Sequence, residues 1–285
     1  MKFTPDELHS LLQGISIAPQ PQILVDLQMA QAMGEDDENS LHSLISQDIG
    51  LSGSILKLHN RLQDQPTANI SQAIAVIGTE NITKVANSLS IKGELDDHSI
   101  SLLNPFWDSS HDIATLCQGI AQELQLEQDQ QYYSLGLLHN AGMALMLKKY
   151  PDYFDTLKQA HQGEQQRLID LENLRYHSNH AVLGYYCARA WRLPAILCEV
   201  IAEHHSAHFA LEFWPEDHPG RNLLAVLKTA EYLCNSHRIF GQQRNNYEWL
   251  DIKEQIFLQL GIGDYELEAW HDRYRDLGIN SLNLV

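Results

Sequence analysis

Long apolar runs are absent from this sequence. The longest uninterrupted ones, such as residues 144–147 and 223–227, fall far short of the roughly 20 residues that a membrane-spanning helix needs. The opening stretch MKFTPDELHSLLQG also lacks the charged, apolar and small-residue order of an export signal. We therefore expect a protein that is neither secreted nor inserted in a membrane.

Cysteine is scarce as well. The four cysteines occur singly and without C-x-x-C spacing, at Cys117, Cys187, Cys198 and Cys234. Each lies among apolar residues at helical spacing, which is typical of reduced, buried thiols that serve packing. This pattern predicts a cytoplasmic protein.

Positive charge is in short supply. Lys and Arg number 19 against 37 Asp and Glu, so the formal net charge is −18, and no basic cluster offsets it. Phosphate backbones and anionic lipid surfaces would be repelled at long range, so we expect neither a nucleic-acid nor a membrane partner. The sequence also lacks a G-x-x-x-x-G-K-[ST] phosphate loop, a G-x-S-x-G nucleophile turn and an H-E-x-x-H zinc motif.

Helical periodicity is what the sequence does contain. In GLSGSILKLHNRLQ the apolar residues Leu51, Ile55, Leu58 and Leu62 fall on one helical face. Nearly every segment between prolines, glycines and aspartates has the same period, and no β-hairpin signal or internal repeat is present. The sequence predicts an all-α protein built as a multi-helix bundle.

The periodicity lapses near residues 93–105, GELDDHSISLLNP, and the composition beyond them is richer in His, Trp and Cys. We place a boundary there, between an N-terminal helical subdomain of residues 1–98 and a second subdomain of residues 99–285. The second is predicted to end in a helix pair hinged at residues 261–263, with Asp264 as N-cap. Trp107 and Trp191 lie on apolar helix faces and are expected to anchor the core.

Several histidines stand at helix starts or between apolar residues in the second subdomain. They are His111, His139, His180, His204 and His205, and Glu231 follows them on a later helix. Any one of these, taken alone, is more often a hydrogen-bonded structural histidine than a ligand. Their number and order make a common site worth considering.

The motifs FWDSSHDIATLCQGIA, GLLHNAG and HAVLGYYCARAWRLPAILCEVIAEHH resemble the HD superfamily of metal-dependent phosphohydrolases. The N-terminal segments APQPQILVDLQMAQ, LISQDIGLSGSILKLHNRL and ISQAIAVIGTENITKVANSLSI narrow the resemblance to the bacterial HDOD domain, the "HD-related output domain". This resemblance implies an HD-like helical bundle with an N-terminal helical subdomain.

The resemblance also implies roles for the histidines. His111 matches the first His of the catalytic HD pattern, and His139 matches the His of its His-Asp doublet. Asn140 falls where the doublet aspartate should be, and Glu231 falls where a distant aspartate should be. The extra histidines of two-metal members correspond to His180, His204 and His205. These seven residues form a possible remnant of a metal site.

The neutral Asn140 decides how that remnant is interpreted. Losing one unit charge 4 Å from a cation is worth on the order of 4 kcal/mol even at an effective dielectric constant of about 20. We therefore expect no catalytic residue and no cofactor. A single, weakly held transition metal (Fe, Mn, Ni or Zn) on His111, His139 and Glu231 is the alternative.

The function implied by the resemblance is that of a non-catalytic module in signal transduction that acts through protein–protein contacts. Its partners would be cyclic-di-GMP enzymes, receivers or kinases, and the sequence leaves its oligomeric state open. The alternative is a metal-dependent phosphohydrolase acting on a nucleotide or a cyclic dinucleotide phosphodiester. Residues 206–220 are predicted to be a loop that faces a partner through Trp214, Asp217 and His218.

Overall fold

The computed structural model describes residues 17, 19–33, 38–90, 97–162, 167–236, 245–276 and 279. Within them the regular elements are α-helices and no strand occurs, so the all-α prediction is confirmed. In chain order the helices are α1 (Pro21–Met33), α2 (Glu38–Ile45), α3 (Ile49–Leu62), α4 (Ile70–Ile77), α5 (Thr79–Ser90), α6 (Asp97–Glu123), α7 (Asp129–Leu138), α8 (Ala141–Lys149), α9 (Tyr153–Gln162), α10 (Leu168–Tyr176), α11 (His180–Ala190), α12 (Ala195–Glu203), α13 (Ala207–Phe213), α14 (Gly220–Leu233), α15 (Tyr247–Leu260) and α16 (Asp264–Asp276).

Side-chain caps fix where several of these helices begin. Asp48 accepts a hydrogen bond from the Leu51 amide at 2.7 Å at the start of α3. Asn179 does the same for the Val182 amide at 2.9 Å at the start of α11. Each cap satisfies an amide that has no partner inside the helix, so the residue after it is held at a defined position. For α11 that residue is His180.

Helix α3 lies in the core, with residues 49–60 buried. It meets the turn after α11, because a Cβ added at Gly53 would lie 2.6 Å from the ring of Trp191. Asn60 reinforces this contact by donating hydrogen bonds to the carbonyl of Thr67 at 2.9 Å and to that of Arg192 at 3.0 Å. The N-terminal helices are therefore packed directly on the part of the chain that carries the histidines.

The predicted lapse in helical structure at residues 93–105 is wrong where the structure describes it. Residues 97–123 form one helix, α6, which runs through the proposed boundary and contains Pro105. An internal proline costs about 3 kcal/mol, but Phe106 and Trp107 directly after it are buried, and their packing offsets that cost. The division at residue 98 stays a prediction.

The expected packing residues are in the core. All four cysteines are free and buried, and Trp107 and Trp191 are buried as predicted. No described helix is both long enough and apolar enough to cross a membrane. Helices α15 and α16 form the C-terminal pair, joined by residues 261–263 with Gly261 in the left-handed conformation at φ 66°.

Residues 206–220 are not one loop, and that prediction is wrong for their first half. Ala207–Phe213 form helix α13, and only the segment after it is irregular. Trp214 is partly buried and stacks on His218 with ring centroids 4.5 Å apart. Arg221 donates to the carbonyl of Trp214 at 2.9 Å, so the segment is held against α14. Asp217 is exposed.

Candidate functional site

The site is built where the ends of several helices meet. His139 is the C-cap of α7 and Asn140 is the N-cap of α8, while His180 is the first residue of α11. His204 caps the end of α12 and is followed by His205. Helix ends carry backbone groups without helical partners, so polar side chains there can be buried with hydrogen bonds available nearby.

Close packing of two glycines brings these ends together. A Cβ added at Gly142 would lie 1.9 Å from the carbonyl oxygen of His180 and 2.6 Å from the amide nitrogen of Gly184. Helix α8 therefore rests on the backbone of α11, with no room for a side chain between them. The contact places the doublet residues His139 and Asn140 beside the start of α11.

His180, His204 and His205 form a compact cluster. Their rings are in mutual contact, with centroids 5.5 Å apart for His180 and His204 and 4.2 Å apart for His204 and His205. The Nε2 atoms of His180 and His205 are 2.8 Å apart. One ligand atom from each of the three lies within 4.8 Å of the other two. His180 and His204 are fully buried, and the side chain of His205 is 16% exposed.

The Nδ1 atom of each of these three histidines lies within hydrogen-bond distance of an oxygen acceptor. His180 Nδ1 is 2.7 Å from Oε2 of Glu172, His204 Nδ1 is 2.7 Å from the carbonyl oxygen of Ile201, and His205 Nδ1 is 3.1 Å from Oε2 of Glu248. Carboxylates and carbonyls can only accept, so Nδ1 carries the hydrogen in all three rings. Each Nε2 therefore offers a lone pair unless its ring takes a second proton.

Glu172 is itself a fixed part of the site. It is fully buried, accepts a hydrogen bond from the Tyr153 hydroxyl and another from the backbone amide of His180 at 3.1 Å. Burial raises its pKa, but the interactions with His180 and Tyr153 outweigh burial and hold the pKa below the ordinary value. Glu172 is therefore a carboxylate that orients His180.

Lys228 is the principal cation of the site. Its side chain is 4% exposed, and its Nζ lies 2.5 Å from Oε2 of Glu231 and 3.2 Å from Oε1 of Glu248. Burial opposes its charge, but the two carboxylates outweigh that effect and raise the pKa of Lys228. Burial raises the pKa of Glu231, but its interactions with Lys228 and His139 outweigh burial and lower that pKa to about 2. Lys228, Glu231 and Glu248 are therefore charged at neutral pH.

His139 connects the doublet to this ion pair. Its Nδ1 is 2.7 Å from the carbonyl oxygen of Gly136, and its Nε2 is 3.1 Å from Oε1 of Glu231. Its ring also meets that of His204 edge-on, with centroids 5.4 Å apart. His139 and Glu231 are thus neighbours, as their assignment to one site requires.

His111 is placed differently from the other predicted ligands. Its Nδ1 is 3.1 Å from the hydroxyl of Tyr133, which donates to the carbonyl of Ser46 at 2.8 Å. Burial lowers the pKa of His111, against the carboxylates of Asp112 and Asp108. Among the described residues, the group with mutually close ligand atoms consists of His180, His204 and His205 and does not include His111.

Three residues of the site were not foreseen from the sequence: Lys228, Glu172 and Glu248. Lys228 had a signal, because it precedes Glu231 by three positions on one helix and such residues are neighbours. Glu172 and Glu248 had none, since they approach the histidines from other helices. Only the packing of α10 and α15 brings them there.

The described residues do not fit the two-cation centre of a phosphohydrolase. Asn140 is neutral where a metal-bridging carboxylate is required, and its Oδ1 is buried without a hydrogen-bond partner. Glu231, the remaining carboxylate of the pattern, is already paired with the Lys228 ammonium. A second metal ion would have to displace that ammonium or tolerate it at close range, and either costs free energy.

Comparison with known proteins agrees with this architecture. A family model for the HDOD domain matches residues 17–207, which is more than half of the chain. The chain belongs to the HDOD family. The matched region of this HDOD protein includes the histidine cluster and Asn140. Lys228, Glu231 and Glu248 lie beyond it.

Solved structures show the same fold. The MmoQ response regulator from Methylococcus capsulatus is similar with a TM-score of 0.65 and 21% identity, over 90% of this chain and 98% of that one. A virulence factor from Campylobacter jejuni is similar with a TM-score of 0.58 and 16% identity, over 97% of this chain and 90% of that one. At these identities the likeness shows the fold alone.

A relative in sequence is an uncharacterized protein of Treponema pallidum (strain Nichols). It is 24% identical over 210 residues, which are 71% of this HDOD chain and 40% of that protein. The chain therefore spans about two-fifths of the length of this curated relative.

Proposed function

We propose that this HDOD protein is a non-catalytic regulatory module of bacterial signal transduction that acts through protein–protein contacts. The observation that carries the proposal is the ion pair of Lys228 with Glu231, which contacts His139 of the doublet, whose second residue is the neutral Asn140. Hydrolytic relatives need a cation held by carboxylates at this position to lower the pKa of a water molecule. Here an ammonium group, which can bind no nucleophilic water as a ligand, supplies the positive charge instead.

The class of partner follows from the family rather than from a surface. Cyclic-di-GMP enzymes, receivers and kinases are the partners that the resemblance suggests, and the likeness to a protein described as a response regulator supports this class. The net charge of −18 disfavours nucleic acid. We propose a cytoplasmic location, which the four free, buried cysteines support.

A second candidate function is metal-dependent hydrolysis of a nucleotide or a cyclic dinucleotide. One observation favours it, namely the intact cluster of His180, His204 and His205. Imidazoles supply lone pairs but no negative charge, so this cluster alone does not replace the missing carboxylate. We rank hydrolysis below the regulatory function for that reason.

Hydrolysis assays separate the two candidates. The untagged chain, supplied with Mn²⁺ or Fe²⁺, is incubated with bis(p-nitrophenyl) phosphate and with a cyclic dinucleotide. We expect the same background rate for the wild type and for His139→Ala, because no metal-activated water is formed. Turnover by the wild type that His139→Ala abolishes would establish the phosphohydrolase instead.

A further inference from the structure

We infer that the exposed face of helix α13 is a docking surface for a basic amphipathic helix of a partner protein. Phe209 and Phe213 are the apolar anchors of this surface, and the carboxylates beside them pair with lysine or arginine residues of the partner. The inference rests on the proposed function in one respect, which is that the protein acts through protein–protein contacts. It replaces Trp214, the aromatic residue that the sequence indicated for such a contact, by these two phenylalanines.

Helix α13 buries its smaller apolar side chains and exposes its largest ones. Ala207, Ala210 and Leu211 are buried, whereas Phe209 is 61% and Phe213 74% exposed. Full burial of a phenylalanine side chain contributes about 1.5–3 kcal/mol, so a helix that served only the core would direct these residues inward. Their exposure indicates a contact with another molecule.

The two phenylalanines form one patch rather than two isolated side chains. They are about one helical turn apart, with ring centroids separated by 6.4 Å and ring planes inclined by 9°. An aromatic side chain buries roughly 150–250 Å² in a contact, so the two exposed fractions together correspond to roughly 200–340 Å² of apolar surface. Residues i and i+4 also form a ridge that packs into the groove of a second helix, which is why the partner element is a helix.

Arg221 fixes α13 to the rest of the molecule. It donates hydrogen bonds to the carbonyls of Leu211 at 2.6 Å and Trp214 at 2.9 Å, and to Oε1 of Gln259 in α15 at 2.7 Å. Carbonyls in the last turn of a helix have no helical partner, so these bonds stabilise the end of α13. A surface that is already ordered loses less conformational entropy when a partner binds.

The charges beside the two rings indicate the class of partner. Glu212 lies between them in the sequence and its side chain is 52% exposed, and the exposed Glu216 and Asp217 follow. Residues 206–220 contain no lysine or arginine, and His208 faces Glu212 at 3.8 Å. Electrostatic complementarity therefore favours a partner whose apolar side chains are flanked by lysine or arginine. An amphipathic helix presents both kinds of side chain at helical spacing.

Binding of designed peptides tests the surface. The probe is a fluorescein-labelled helical peptide with leucine at positions i, i+3, i+4 and i+7 and lysine elsewhere, and the reference peptide has glutamate in place of lysine. Fluorescence polarisation measures the affinity of each for the full-length chain. We expect saturable binding of one lysine peptide per chain, and binding of the glutamate peptide that is at least about tenfold weaker.

Variants assign the binding to α13. Phe213→Ser removes the more exposed anchor and should weaken binding of the lysine peptide by about tenfold or more. Glu212→Gln removes one charge and should weaken it by about two- to fivefold at low salt and by less at high salt. Tyr265→Ser is the matched control, because Tyr265 is an 80% exposed aromatic residue between Asp264 and Glu266; it should bind the peptide as the wild type does.

Three results would overturn the inference. The first is the absence of saturable binding of the lysine peptide to folded protein, and the second is binding that Phe213→Ser weakens no more than Tyr265→Ser does. The third comes from sedimentation of the free protein, because a dimer that Phe213→Ser dissociates would assign the surface to a second copy of this chain. None of them affects the proposed absence of catalysis, which the hydrolysis assay tests separately.

Discussion

At the scale of single residues, the main feature of the site is a buried ammonium group between two buried carboxylates. Lys228 lies between Glu231 and Glu248, at 2.5 Å from one and 3.2 Å from the other, in surroundings that leave it 4% exposed. Removing one partner of a buried ion pair leaves the other charge without compensation, which typically costs about 3–5 kcal/mol. Lys228 should therefore be a strong determinant of stability as well as an obstacle to a second metal ion.

Replacing Lys228 by methionine tests this. We expect Lys228→Met to lower the free energy of unfolding by about 3–5 kcal/mol at pH 7, because two buried carboxylates then face each other without a cation. Chemical denaturation measures the change. The matched control is Lys253→Met, which breaks an exposed ion pair with Asp264 and should cost about 1 kcal/mol or less. Equal costs for the two variants would show that the buried pair has no special role.

The buried histidines also make the stability of the protein depend on pH. Burial, followed by the neighbouring His205, lowers the pKa of His204 well below its ordinary 6.5, and burial also lowers that of His205. The unfolded chain therefore binds protons as the pH falls through about 6.5 while the folded chain does not. Stability contributed by the neutral rings is complete above that pH and is lost below it.

The contribution of Asp48 to stability depends on pH in the opposite direction, so the helix that it caps, α3, serves as an internal reference for α12. Burial raises its pKa to about 6, against hydrogen bonds from the amides of Gln20 and Leu51. Its protonation in the folded state as the pH falls from about 6 towards 4 relieves the burial penalty. In metal-free protein, the protection factors of the amides, which correct for the fall of the intrinsic exchange rate with pH, should decrease more in α12 than in α3 between pH 7.5 and 5.5. An equal change of the protection factors in the two helices would contradict this.

At the scale of helices, close backbone contacts position the site. Helices α8 and α11 touch at Gly142 and Gly184, and α3 meets Trp191 through Gly53. None of these glycines has the left-handed backbone that favours glycine; Gly142 and Gly53 are required because a neighbouring element leaves no space for a Cβ. The positions of His139 and His180 therefore depend on small residues elsewhere on their helices.

Gly142→Ala tests the role of the helix contact. The new Cβ would lie 1.9 Å from the carbonyl oxygen of His180, and backbone atoms cannot move aside as a side chain can. We expect a loss of about 3 kcal/mol or more in the free energy of unfolding, at the upper end of the cost of overpacking. Gly263→Ala is the control, because its Cβ would make only an ordinary contact of 3.5 Å, and it should change stability by less than about 1 kcal/mol. A similar small effect of both substitutions would mean that α8 and α11 are not in such close contact.

At the scale of the whole molecule, the sequence was sufficient for the fold class and the family. Apolar spacing such as that of Leu51, Ile55 and Leu58 predicts helices directly, because burial of one face follows the helical period. The linked motifs around His139 and His204 resembled the HD superfamily, and the N-terminal segments narrowed the resemblance to the HDOD family, which the family model confirms. Helix α6 was missed over its first turns because the apolar periodicity lapses near residues 93–105, whereas buried Phe106 and Trp107 stabilise the helix there.

The composition of the site could be predicted only in part. Asn140 is visible in the sequence because it occupies a position in a motif. The counter-charge from Lys228 and the orienting carboxylates Glu172 and Glu248 depend on which helix faces meet, and no spacing along the chain specifies that. Residues 206–220 were predicted to be a loop because they interrupt the helices just after His204 and His205, and the seven-residue helix α13 within them was missed.

The proposed function requires that the Lys228 ammonium supplies the positive charge that a metal ion supplies in hydrolytic relatives. Native mass spectrometry of the untagged wild-type chain, equilibrated with increasing Mn²⁺, Fe²⁺ or Zn²⁺, counts bound ions directly. We expect the count not to exceed one ion per chain at any concentration at which the protein stays folded. Two ions per chain, both lost in His139→Ala, would contradict it.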